Sequence, residues 1–218
     1  MHHPKIFGLG LSRTGTTSLH AALVLLGKAS CHYPAVAARH WLAGQYESDP
    51  LSEVEACVDL PTPVFFRELD RAYPGSRFIL TVRDEGQWLE SVGRFLGGTA
   101  PSGPRTILRD MIRVATYGMA GFHAERFREV FRQHRRAVED YFADRPETLL
   151  VMDISAGDGW EALCRFLGIG EQPCRPFPRL DSPYLGQLSN VTFSDLDHKR
   201  QLLERHLDDP SGVAANAR

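Results

Sequence analysis

No stretch of this sequence approaches the run of about eighteen apolar residues that a membrane-spanning helix needs. Its four cysteines, at 31, 57, 164 and 174, form no CxxC pair and lack histidines at zinc-ligand spacing, so they read as reduced thiols, most of them packed in the core. The opening "MHHPKIFGLG" has no charged stretch followed by an apolar segment and a cleavage site, and it runs straight into an apparent strand. A cytoplasmic protein is expected, with neither membrane nor nucleic acid as a partner and with its oligomeric state open. Repeats and low-complexity linkers are also missing. With 218 residues and 43% hydrophobic content, residues 1–218 can bury one substantial core and are expected to form a single domain, with the polar tail from about 208 to 218 frayed.

What is present is patterned. The apolar runs "IFGLGL", "EACVDL", "RFILTV" and "TLLVMDI" alternate with segments whose apolar residues recur at helical spacing. That alternation predicts an α/β fold, a parallel sheet with helices on both faces in three layers. Leu19, Leu23 and Leu26 fall on one helix face, with Gly27 as its stop. "PVFFRELDRAYPG" reads as a helix, and "EGQWLESVGRFLG" as another presenting Trp88, Val92 and Phe95. The longest helical stretch, 105–143, breaks near "YGMAG" and turns Phe127, Val130, Phe131, Val138 and Phe142 inward. A short helix "GWEALCRFLG" follows the last strand, and "SDLDHKRQLLERHL" forms a terminal one. The net charge of −2 hides a basic run, because residues 105–136 hold eight arginines against three acids. Such a run is either a solvated helix face or a positive field that draws in an anion.

After the first strand, residues 10–17 read GLSRTGTT. The glycine spacing is that of the GxxxxGK[ST] phosphate loop, but Thr16 stands where the lysine belongs. Backbone N–H groups at a helix start, with roughly half a unit of positive charge from the helix dipole, still favour an anion there. The cation has moved into the loop as Arg13, while Thr16, Thr17 and Ser18 open the helix. A terminal group carrying less charge than a γ-phosphate can dispense with both lysine and magnesium, and a sulfuryl group fits that description.

At this point "RTGTT" at 13–17 resembles the 5′ loop of the sulfotransferases that use 3′-phosphoadenosine 5′-phosphosulfate, PAPS. The resemblance implies a phosphate-loop fold in which Ser12, Arg13, Thr14, Gly15, Thr16, Thr17 and Ser18 bind the donor. A second family feature pairs an arginine at a strand end with a serine eight residues on to hold the 3′-phosphate, and "FILTVRDEGQWLESV" supplies Arg83 and Ser91. Arg83 follows the carboxyl end of a buried strand, where open α/β sheets place ligands, and a guanidinium forks two hydrogen bonds onto a phosphate. In "CVDLPTP" the residue matching the family's catalytic histidine is Asp59, as in a small bacterial-type branch where an acid fills the role. A carboxylate is ionised at neutral pH and can take a proton, although an aspartate here also suits the N-cap of the next helix. "PFPRLDS" makes Arg179 a late contact to the nucleotide. The likeness spans residues 5–182. It departs at Ser18, where the family often has a tryptophan that stacks on adenine.

The resemblance implies in-line sulfuryl transfer from PAPS to a hydroxyl of a small-molecule acceptor, with PAP as product and no metal. Arg13 and the loop amides would stabilise charge on the leaving phosphate, and Asp59 would take the acceptor proton. His32, in "SCHYP", is a second candidate base. Residues 31–54 and 97–122, with Tyr33, Trp41, Tyr46, Tyr117 and Phe122, are candidates for the acceptor pocket or for core. Two rivals stand. "LLVMD" at 149–153 has the form of a magnesium-binding strand, as in a kinase of the same fold, and a non-catalytic nucleotide-binding protein would keep the fold without turnover.

Overall fold

The computed structural model describes residues 3–46, 52–97, 107–180 and 196–208. Five strands form one parallel sheet: β1 (Ile6–Gly8), β2 (Ser30–His32), β3 (Ala56–Val58), β4 (Arg77–Thr81) and β5 (Leu149–Met152), ordered β2-β3-β1-β4-β5. The central strand pairs on one side with β3, Gly8 opposite Val58, and on the other with β4, Gly8 opposite Ile79. Because β1 lies between strands reached by crossovers in opposite directions, a crevice opens beyond its carboxyl end, where open α/β sheets bind ligands.

The sheet's two faces divide by strict alternation. Ile6, Ala56, Val58, Ile79 and Met152 face α1 (Thr16–Leu25), α7 (Trp160–Leu167) and α8 (Leu196–Asp208). Phe7, Cys57, Phe78 and Leu80 face α2 (Ala35–Leu42), α3 (Phe66–Ala72) and α6 (Ala124–Tyr141). A third cluster closes the carboxyl edge, where Leu11 and Leu60 meet Trp88 and Val92 of α4 (Glu85–Gly97), Ile112 and Tyr117 of α5 (Ile107–Tyr117) and Phe127 and Phe131 of α6. These are the three layers expected.

Several local expectations change. The strand Ser30–His32 escaped notice because three residues, two of them polar, show no periodicity. Helix α2 follows it directly at Pro34, within a region read only as pocket lining. The single helix expected over "PVFFREL" divides into a 3-10 turn, Thr62–Phe65, and α3. Helix α1 does end at Gly27, where Lys28 N–H donates to Leu23 and Gly27 N–H to Val24, the pairing of a Schellman stop. The five inward residues of the long helical stretch are all buried, and so are Cys31, Cys57 and Cys164, with Cys174 exposed. Phe95 is only half-buried. The tail beyond Asp208 lies outside the described residues. No helix among the described residues is long and apolar enough to cross a membrane.

Candidate active site

The loop between β1 and α1 is held from outside by its carbonyls. His134 Nε2–H of α6 donates to the Leu9 carbonyl at 2.7 Å, Thr14 Oγ1 to that of Leu11 at 2.7 Å, and the Trp88 indole N–H to that of Ser12 at 3.0 Å. Thr14 Oγ1 also meets Thr81 Oγ1 at 2.7 Å, joining the loop to the end of β4. Gly10 is the point of closest approach: a Cβ there would lie 1.8 Å from Thr81 Oγ1 and 2.9 Å from the Thr81 carbonyl oxygen. Arg13 and Gly15 adopt left-handed φ of 78° and 103°. Left-handed residues alternating with helical ones set successive N–H groups along a concave side, the geometry that takes anions. Thr16, Thr17 and Ser18 are buried in the first turn of α1.

The structure brings the two arginine motifs together. Arg13 Nε donates to Ser91 Oγ at 3.2 Å, with its guanidinium carbon 5.4 Å from the centre of the Phe95 ring. Arg83 Nη1 makes a long bond of 3.4 Å to the carbonyl of Arg13. The Nε of Arg83 is buried and has no hydrogen-bond partner among the described residues. A buried unpaired donor costs about 1–3 kcal/mol, so an anion accepting from it would remove that penalty.

On the other side of the loop, the ends of β2 and β3 place His32 and Asp59 side by side. Asp59 is 5% exposed and left-handed, φ 72°, so its side chain turns back toward the loop instead of capping the following turn, which has no side-chain cap. Ser12 Oγ donates to Asp59 Oδ1 at 2.6 Å, and His32 Nε2 lies 3.3 Å from Oδ2. The same nitrogen is 3.2 Å from Thr16 Oγ1. Burial pulls the His32 pKa below its ordinary value, and the Asp59 carboxylate offsets only part of this. His32 is thus neutral at neutral pH, and the carboxylate selects the tautomer with its proton on Nε2. Behind it His20, also depressed by burial, shares Nδ1 with Ser30 Oγ at 2.9 Å.

The remaining expected residues divide. Ser18 Oγ accepts from Leu180 N–H at 2.9 Å, which draws the segment carrying the exposed Arg179 against the first turns of α1. Asp153 turns inward on its own bend, its Oδ1 accepting from Ser155 Oγ at 2.5 Å and Ala156 N–H at 2.9 Å. Trp41 and Tyr46 pack on Phe65 in the core. Tyr33, Tyr117 and Phe122 lie in the cluster at the carboxyl edge, the two tyrosines within the field of Asp59 and Phe122 packed on Phe127. Residues 47–51 and 98–106 of the suggested pocket lie outside the described residues. Sequence reasoning missed His134, Thr81 and the indole N–H of Trp88. Only Trp88 carried a signal, since a buried tryptophan finds an acceptor for its N–H.

The sulfotransferase domain model matches residues 5–183. The chain belongs to the sulfotransferase family. The family supports sulfuryl transfer as its chemistry and transferase as its class. Among curated proteins it is similar to Ava biosynthesis cluster protein M of Aspergillus versicolor, 27% identical over 222 residues that cover 83% of this chain and 80% of that protein. Among solved structures it shares its fold with a sulfotransferase from Alicyclobacillus acidocaldarius at a TM-score of 0.50, 14% identity, and coverage of 93% of this chain and 96% of that one.

Proposed function

We propose that this sulfotransferase takes its sulfuryl group from PAPS and passes it to a hydroxyl of a small-molecule acceptor. The observation that carries the reading is the junction of Arg13, Ser91 and Arg83, in which two motifs 78 residues apart meet beside the loop. A ligand with an anionic group at each end of an adenosine suits it. The loop amides and Arg13 would hold the 5′ end, and Arg83, through its unpaired Nε, and Ser91 the 3′-phosphate. Arg179 would add a late contact, with Ser18 serving to hold its segment in place.

In the transfer the acceptor oxygen forms a bond to sulfur as the bond from sulfur to the phosphate oxygen breaks. If this transition state is loose, like that of phosphoryl transfer, charge grows on the departing phosphate, and preorganised donors at the helix start stabilise it. The acceptor proton passes to Asp59. Ser12 and His32 each occupy one lone pair of that carboxylate and leave acceptor capacity on both oxygens. Neutral His32 orients the base, and no step requires a metal. Titration calorimetry with PAP and with ATP, in EDTA, tests the reading. PAP is expected to bind and ATP to bind far more weakly, and mass spectrometry of acceptor mixtures with PAPS should then show products heavier by one sulfuryl group. A preference for ATP, or turnover abolished by EDTA, would overturn it in favour of a kinase.

A further inference from the structure

Of the three apolar residues that α4 presents, Trp88 and Val92 are 0% and 1% exposed, whereas Phe95 is only half-buried. Its ring has a different neighbour. Phe95 lies one turn beyond Ser91, and residues four apart on a helix are adjacent on its surface. Both meet Arg13. The Arg13 guanidinium sits over the Phe95 ring, its carbon 5.4 Å from the ring centre, while its Nε donates to Ser91 Oγ at 3.2 Å. Arg83, two residues ahead of α4, reaches the Arg13 carbonyl with Nη1 at 3.4 Å. The helix and its lead-in thus hold Arg13 by main chain and side chain alike.

Consecutive loop residues reach to opposite sides of β1. Ser12 bonds Asp59, just after β3, and Arg13 bonds α4, which follows β4. The guanidinium therefore lies across the loop from the base, beside Ser91 and Arg83. A guanidinium is planar, and its two kinds of contact use different parts of it. An aromatic ring takes the face, and phosphate oxygens take the N–H groups in the plane. A ring seat fixes the direction of the group without using up a donor. Ser91, having accepted from Nε, keeps its own hydroxyl proton for an anion. Ordering a long side chain against a ligand costs rotamer freedom, and a side chain seated beforehand has already lost it.

Building on the PAPS reading, we propose that Phe95 is a positioning residue of the donor site, its ring holding the Arg13 guanidinium in the direction that meets the 5′ end of the nucleotide. Phe95 acts through Arg13 and not by touching the adenosine. The electrons of the ring face, and not its bulk alone, are then what donor binding depends on.

The test reads PAP affinity by calorimetry and so needs no acceptor. Phe95 is replaced by mono-, di- and trifluorophenylalanine, which keep the shape of the ring and withdraw charge from its face step by step. PAP binding is expected to weaken at each step, by about three- to tenfold over the series, the scale of a half-buried ring under a guanidinium. Phe95→Leu should fall as far, and Phe95→Tyr, which restores a ring face, should bind within about twofold of the parent. Melting temperatures of the fluorinated proteins should match the parent chain. In Arg13→Gln, whose amide carries no charge, the same fluorine series should leave PAP affinity level. Three results would each overturn the proposal: an affinity that stays level or rises along the series with Arg13 present, a fall that follows a loss of melting temperature, or a stepwise fall that persists in Arg13→Gln, where the ring would be meeting the nucleotide itself. Failure of the parent chain to bind PAP is a separate result, which overturns the donor assignment instead.

Discussion

Arg13 faces two demands that only its position reconciles. Its backbone turns the loop in a left-handed conformation while its side chain reaches Ser91. Arg13→Ala is expected to lower turnover at least about a hundredfold, the scale for removing one transition-state donor, with the melting temperature nearly unchanged because the side chain lies at the edge of the core. Rate assays beside thermal denaturation check this. Asp59→Asn keeps the shape but removes the proton acceptor, and turnover should fall by about 10²–10⁴ while PAP still binds. Unchanged turnover in that variant would remove Asp59 as the base and leave His32 as the candidate. Much of this was legible in the sequence, because the loop and the Arg83 to Ser91 interval are local in number. The bond from Ser12 to Asp59 was not, since nothing in a linear pattern announces that a left-handed aspartate will face a serine 47 positions away.

At the level of elements, the loop is held by Thr81 at the end of β4, Trp88 of α4 and His134 from the middle of α6. Strand β4 comes so near that Gly10 admits no side chain. Gly10→Ala should therefore push Thr81 and the loop apart, lowering the melting temperature by roughly 2–12 °C and abolishing PAP binding, as calorimetry would show. β1, β3 and β4 were visible as apolar runs because strands buried on both faces are continuous in hydrophobicity, and the edge strand β5 was visible through its run of Leu149, Leu150, Val151 and Met152. β2 was hidden by its Ser30 and His32, polar residues kept in the interior by partners on α1. The division of "PVFFREL" follows from Pro63, which opens a tight turn more readily than it sits within a helix.

Across the whole molecule, three interior histidines tie the layers to the sheet: His20, His32 and His134. Burial lowers each below the ordinary 6.5. A histidine whose folded pKa is depressed binds its proton more readily when unfolded, so its contribution is complete above the unfolded pKa and declines as pH falls toward the folded one. The melting temperature is thus expected to be level from pH 8 to about 6.5 and to fall between about 6.5 and 5.5, before most carboxylates titrate. His134→Gln, whose amide can still reach Leu9, should make the fall shallower. A curve that stays level down to pH 5.5 would contradict the assignment of these rings as buried neutral donors.

The clasp between Ser18 and Leu180 spans 162 positions, from the first turn of the first helix to a segment that follows the last strand and α7. On a ribosome, this clasp could not close until residue 180 had emerged, after all five strands of the sheet. Partial products would then carry the sheet but not the grip.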